Sequence, residues 1–164
     1  MKIAIGVDHR GCQLGTRIAE ELTGLGHTVI TKGEFSCESS DYPDAAYEVA
    51  SSVGRGEVER GVLVCGSGIG MSIAANKVRG VRAALVNDEL GARMSRAHND
   101  ANVLCLSSDL MGPTVPGELL RVWLETEFEG GRHARRVEKI ARIEAKESPG
   151  GESAPEHQPT RVES

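Results

Sequence analysis

Gly61-Val62-Leu63-Val64-Cys65-Gly66-Ser67-Gly68-Ile69-Gly70-Met71 runs from an apolar segment, through glycines at every second position, into a helical pattern. The continuous apolar run 61–65 predicts a strand covered on both faces, as in a parallel sheet. Residues 71–77 predict the helix that follows. The chain on either side repeats this unit. Strands are predicted at 2–7, 28–32, 81–86 and 102–106, and helices at 12–25, 44–52 and 88–97. The helix at 12–25 has the plainest stripe, with Leu14, Ile18, Leu22 and Leu25 three or four residues apart. Tyr42-Pro43-Asp44 supplies a start signal for the next helix. Two more helical patterns follow, at 115–127 and 132–146. Strand and helix alternating five times imply crossover connections and an α/β domain, a parallel sheet with helices on both faces. Such sheets bind ligands beyond the carboxyl ends of their strands.

The 164 residues suit one domain, which we assign to 1–146. Residues 147–164 hold three of the six prolines and only two apolar side chains, Ala154 and Val162, so we expect a disordered tail. A formal charge of −5 and 3% aromatic residues argue against a nucleic-acid partner, which needs a basic surface or a stacking platform. No apolar run approaches the roughly 20 residues that cross a bilayer, and the opening MKIAIGVDHRG does not read as a signal peptide. A cytoplasmic protein is therefore expected, with Cys12, Cys37, Cys65 and Cys105 all reduced. No pair is spaced C-x-x-C, and no His/Cys/carboxylate group has metal-ligand spacing.

The glycines after Cys65 let backbone N–H groups turn inward as a cradle for an anion. The field of such a cradle would lower the Cys65 thiol pKa. A thiolate beside an oxyanion cradle suits proton abstraction next to a carbonyl. A tight structural turn or a nucleotide site would use glycines too, although the third slot of G-x-G-x-x-G is filled by Ile73. Three other polar clusters are expected at the same strand ends: Asp8-His9-Arg10-Gly11, the loop 33–43 with Asp41-Tyr42-Pro43, and His98-Asn99-Asp100. Arg132 and Arg136 share one face of the last helix and could grip a phosphate or simply meet solvent. His27 and His157 carry no comparable context.

Together IAIGVDHRG (3–11), SDYPD (40–44), CGSGIGMSIAANK (65–77), GVRAAL (80–85), SRAHNDANVL (95–104) and EFEGGRHARRVEKI (127–140) resemble the type B ribose-5-phosphate isomerases, within a family that also includes galactose- and allose-6-phosphate isomerases. The resemblance implies a three-layer αβα, Rossmann-like fold with five parallel strands and a C-terminal helical extension. It also implies a homodimer with active sites between subunits, with pairing of dimers into tetramers left open. The activity implied is interconversion of ribose 5-phosphate and ribulose 5-phosphate through an enediolate, with neither metal nor cofactor. Allose or galactose 6-phosphate is the alternative substrate, and a non-catalytic phosphate- or nucleotide-binding module the alternative function. By position, Cys65 matches the base, and Gly66, Gly68 and Gly70 with Asn99 match the anion hole. Ser67 matches the hydroxyl that passes a proton between oxygens, and His98 the residue that helps open the sugar ring. Asp8 and Tyr42 fall at sugar contacts, and His9, Arg132 and Arg136 at phosphate contacts. One position departs: where the family has an arginine in a G-S-R-like segment, Ser107-Ser108-Asp109 puts the opposite charge.

Overall fold

The computed structural model describes residues 1–112 and 116–147. Five strands, β1 (Lys2–Val7), β2 (Thr28–Lys32), β3 (Arg60–Cys65), β4 (Ala83–Leu85) and β5 (Val103–Ser107), form one parallel sheet in the order β2-β1-β3-β5-β4. The helices are α1 (Cys12–Gly24), α2 (Tyr42–Gly54), α3 (Ile69–Ala75), α4 (Glu89–Ala97), α5 (Ser108–Met111), α6 (Gly117–Glu125) and α7 (Arg132–Glu147).

Strand alternation splits the core into two layers. Ile3, Ile5 and Val7 of β1, with Val62 and Val64 of β3, pack under Leu14, Ile18 and Leu22 of α1 and Trp123 of α6. Ala4, Leu63, Cys65 and Cys105 face the other way, against Ala46 and Val49 of α2 and Met71 of α3. Each central strand is therefore apolar on both faces, which is why the runs are unbroken rather than alternating. The predicted strands and principal helices are present, with shifted ends. β4 has three residues rather than six, α3 starts two residues earlier, and the four-residue α5 was not anticipated.

The expectation of four reduced cysteines is overturned. Cys12, at the start of α1, is disulfide-bonded to Cys37 in the loop after β2, while Cys65 and Cys105 are free. Cys37 is reached only because β2 lies beside β1, a neighbourhood that no sequence spacing announces. Glu147 ends α7 instead of opening the tail, and the rest of the expected tail, 148–164, lies outside the described residues. Among the described residues, no helix is long and apolar enough to cross a membrane.

Candidate active site

The chain reverses direction across the sheet between β1 and β3, and the carboxyl ends of these strands deliver Asp8 and Cys65 side by side. After Cys65 the backbone turns through Gly68, whose φ of +73° is a left-handed value that favours glycine, and enters α3. The turn brings the Gly68 N–H onto the Cys65 sulfur at 3.1 Å. The Ser67 hydroxyl accepts the N–H of Ile69 at 3.3 Å. The Tyr42 ring lies flush on Gly70, where a Cβ would stand 2.5 Å from Cε2. From the next strand, Ser107 Oγ donates to the Gly66 carbonyl at 2.7 Å and Ser108 Oγ to the Cys65 carbonyl at 3.1 Å. These bonds fix the turn from the β5 side.

Cys65 is only 4% exposed. Burial pushes its thiol pKa up, and the Asp8 carboxylate adds to the rise, against backbone N–H groups of Gly68, Met71 and Ser67 that favour the thiolate. The net direction is the reverse of that expected from the cradle alone. The cradle exists, but desolvation outweighs it.

Asp8 is also buried, and its Oδ1 accepts the N–H groups of Arg10 at 3.0 Å and Gly11 at 2.8 Å. One carboxylate oxygen thus fixes the entry to α1. His9 Nδ1 lies 3.4 Å from the Ser40 carbonyl, so the loops after β1 and β2 touch here as well as at the disulfide. Arg10 reaches across to Asp109, Nη2 to Oδ2, at 2.7 Å. The structure therefore gathers Asp8, His9, Tyr42, Cys65, Gly66, Ser67, Gly68 and Gly70 at one edge of the sheet.

His98, Asn99, Arg132 and Arg136 are elsewhere. His98 caps the carboxyl end of α4 and precedes β5, which puts it at the amino edge of the sheet. Cys65 pairs with Ser107 at the other end of β5, and at about 3.3 Å per residue the strand alone separates the two edges by about 13 Å. The expectation that His98-Asn99 lies at a carboxyl end is corrected: a helix returning antiparallel to its strands finishes beneath them. Here Arg82 Nε donates to the carbonyls of Asn99 and Asp100, and the Asp100 carboxylate joins Arg82 and Arg96.

The Glu129 N–H donates to the Ala97 carbonyl at 3.0 Å and docks the α7 entrance on this turn. The His98 and His133 rings stack, centroids 4.0 Å apart and 5° from parallel. Glu129 Oε2 lies 3.8 Å from His98 Nε2 and 3.6 Å from His133 Nε2. Burial lowers the His133 pKa, the nearby His98, Arg132 and Arg136 lower it further, and Glu129 opposes them. Sequence reasoning missed His133 and Glu129, although both sit within the motif that contains Arg132. It also missed this grouping as a potential ligand set, His98, Glu129 and His133. The two rings stack in parallel, so their in-plane nitrogen lone pairs do not converge on one point.

The sequence matches the Ribose/Galactose Isomerase family over residues 3–140. The chain belongs to that family. It is 46% identical to the ribose-5-phosphate isomerase B of Escherichia coli over 143 residues, 87% of this chain and 96% of that one. It is 41% identical to the D-erythrulose-4-phosphate isomerase of Pectobacterium atrosepticum over 148 residues, 90% of this chain and 97% of that one. Among solved structures, the Clostridium thermocellum ribose-5-phosphate isomerase B superposes with a TM-score of 0.88 at 50% identity, covering 90% of this chain and all of that one. The family assignment and the layered fold agree with the expectation drawn from the motifs.

Proposed function

We propose that this isomerase interconverts D-ribose 5-phosphate and D-ribulose 5-phosphate, with Cys65 as the base. The observation that carries the proposal is the buried Cys65 sulfur, held by the Gly68 N–H in a glycine turn with Asp8 and Tyr42 beside it. In the open-chain aldose, the Cys65 thiolate takes the proton from C2, and electrons move toward the C1 oxygen to give an enediolate. Backbone N–H groups of the 66–70 turn would carry that charge. Ser67 passes a proton between O1 and O2, and the thiol returns its proton to C1. Atoms and electrons balance within the sugar, so the reaction needs no external oxidant or reductant. Asp8 and Tyr42 hold the sugar, and His9, Arg132 and Arg136 the phosphate.

Cys65 and His98 of one chain stand at opposite edges of the sheet, which supports ring opening by His98 and an anion-hole contact from Asn99 of a different chain. We infer that a second copy supplies His98, Asn99, Arg132 and Arg136, which makes the working unit a homodimer. Arg132 and Arg136 are exposed on α7, as such donation requires.

The reading is tested by a substrate panel on the parent and Cys65→Ala. Ribose 5-phosphate should be turned over by the parent, and the variant should lose at least the ~10²–10⁴-fold that general-base catalysis supplies. Activity should survive EDTA. A second substrate reading rests on the departure at Asp109 together with the D-erythrulose-4-phosphate isomerase relative. The panel therefore includes erythrulose 4-phosphate, allose 6-phosphate and galactose 6-phosphate.

A further inference from the structure

Arg10 and Asp109 leave the sheet from strands on either side of β3 and meet over it. Arg10 follows β1, Asp109 lies in α5 directly after β5, and β3 with Cys65 runs between them. Besides the 2.7 Å ion pair, the guanidinium lies directly on Gly66, where a Cβ would stand 2.9 Å from its Nε. The Asp109 N–H donates to the Gly66 carbonyl at 3.0 Å, so both partners are anchored to the residue after Cys65. The Arg10 and Asp109 side chains remain 59% and 46% exposed. A pair so open to water contributes little to stability and separates readily. A guanidinium presents a planar fork of donors that matches phosphate, and one carboxylate oxygen does not exhaust it.

We propose that Arg10 is a substrate-anion contact of the Cys65 site and that Asp109 is its resident counter-ion, displaced when the phosphate of the substrate arrives. This rests on the sugar-phosphate reading above. Asp109 then acts as an internal competitor. It holds the guanidinium in place over Gly66 when the site is empty, and it weakens binding by the cost of its displacement. The negative charge after β5 is a tuning device for the cation after β1 rather than a defect in phosphate recognition.

The test compares Arg10→Gln, Arg10→Lys, Asp109→Asn and the double variant Arg10→Gln/Asp109→Asn with the parent. The readouts are KM and kcat for ribose 5-phosphate, the competitive inhibition constant of inorganic phosphate, and Tm. Arg10→Gln should raise KM and the phosphate constant about tenfold or more, as for loss of a charge-assisted hydrogen bond, with a smaller effect on kcat. Arg10→Lys should fall between, because it keeps the charge and loses the fork. Asp109→Asn should lower both constants severalfold, and this gain should vanish in the Arg10→Gln background. Tm should stay near that of the parent throughout. Unchanged phosphate inhibition in Arg10→Gln would overturn the proposal, as would an Asp109→Asn gain of equal size with and without Arg10. If the parent shows no isomerase activity, the function reading fails instead, and phosphate binding by calorimetry across the same proteins still decides the role of Arg10.

Discussion

As the proposed base, Cys65 would surrender and regain a proton at a place where burial favours keeping it. Its rate of reaction with iodoacetamide should therefore rise with pH through a midpoint above the ~8.5 of a free thiol, and kcat/KM should climb over the same range. Substrate should protect the thiol. Cys105 is fully buried with its pKa pushed up further, so it should stay unlabelled in the folded protein. A labelling midpoint below the free-thiol value would show that the N–H groups outweigh desolvation. Stability carries the same sign. A thiol whose folded pKa is raised stabilises the fold fully below the unfolded pKa and loses that contribution as pH climbs through the folded value. Tm should thus decline from about pH 8.5 upward. Cys65, Ser67 and the glycines are legible in sequence because the turn that joins them spans six consecutive residues, 65–70. The direction of the thiol pKa is not, because it depends on the α2 and α3 residues packed over the β3 face.

At the scale of elements, β1, β3 and β5 announce themselves because strands buried on both faces need uninterrupted apolar runs. The helix α5 has four residues and so cannot display a helical period, and β4 lies at the sheet edge with only one strand to bound it. The Cys12–Cys37 bond is a fact about neighbouring elements, joining the start of α1 to the loop that leads into Tyr42. It closes a separation of 25 residues, for which chain entropy suggests about 3–4 kcal/mol. Reduction, or Cys12→Ser, should lower Tm by roughly ten degrees in a domain of this size. The check is thermal unfolding with and without reductant, alongside thiol titration in denaturant. Two thiols should react before reduction and four after. Four without reductant would show that the bond does not form.

The whole molecule raises the question of how His98 ever meets Cys65. Each stood out as a candidate residue in its motif, but their separation did not, because it follows from the direction in which α4 returns beneath the sheet. One chain presents Cys65 and its glycine turn at the carboxyl edge, and His98 with the Arg132–Arg136 pair near the amino edge. Two copies related by a two-fold axis would set each half against its complement. The consequence is complementation between inactive chains. Cys65→Ala retains His98, and His98→Asn retains Cys65, so a mixed dimer contains one site with both groups intact and one with neither. After unfolding and refolding together at equal amounts, half of the dimers should be mixed, each with half of its sites working. Activity assayed on cyclic ribose 5-phosphate should then recover to about a quarter of that of the parent, well above the sum of the two variants alone. Mixing without subunit exchange should restore nothing. If co-refolded dimers are confirmed by mass and activity stays at the level of the separate variants, each site draws Cys65 and His98 from one chain, and the helical return beneath the sheet must open in solution to allow it.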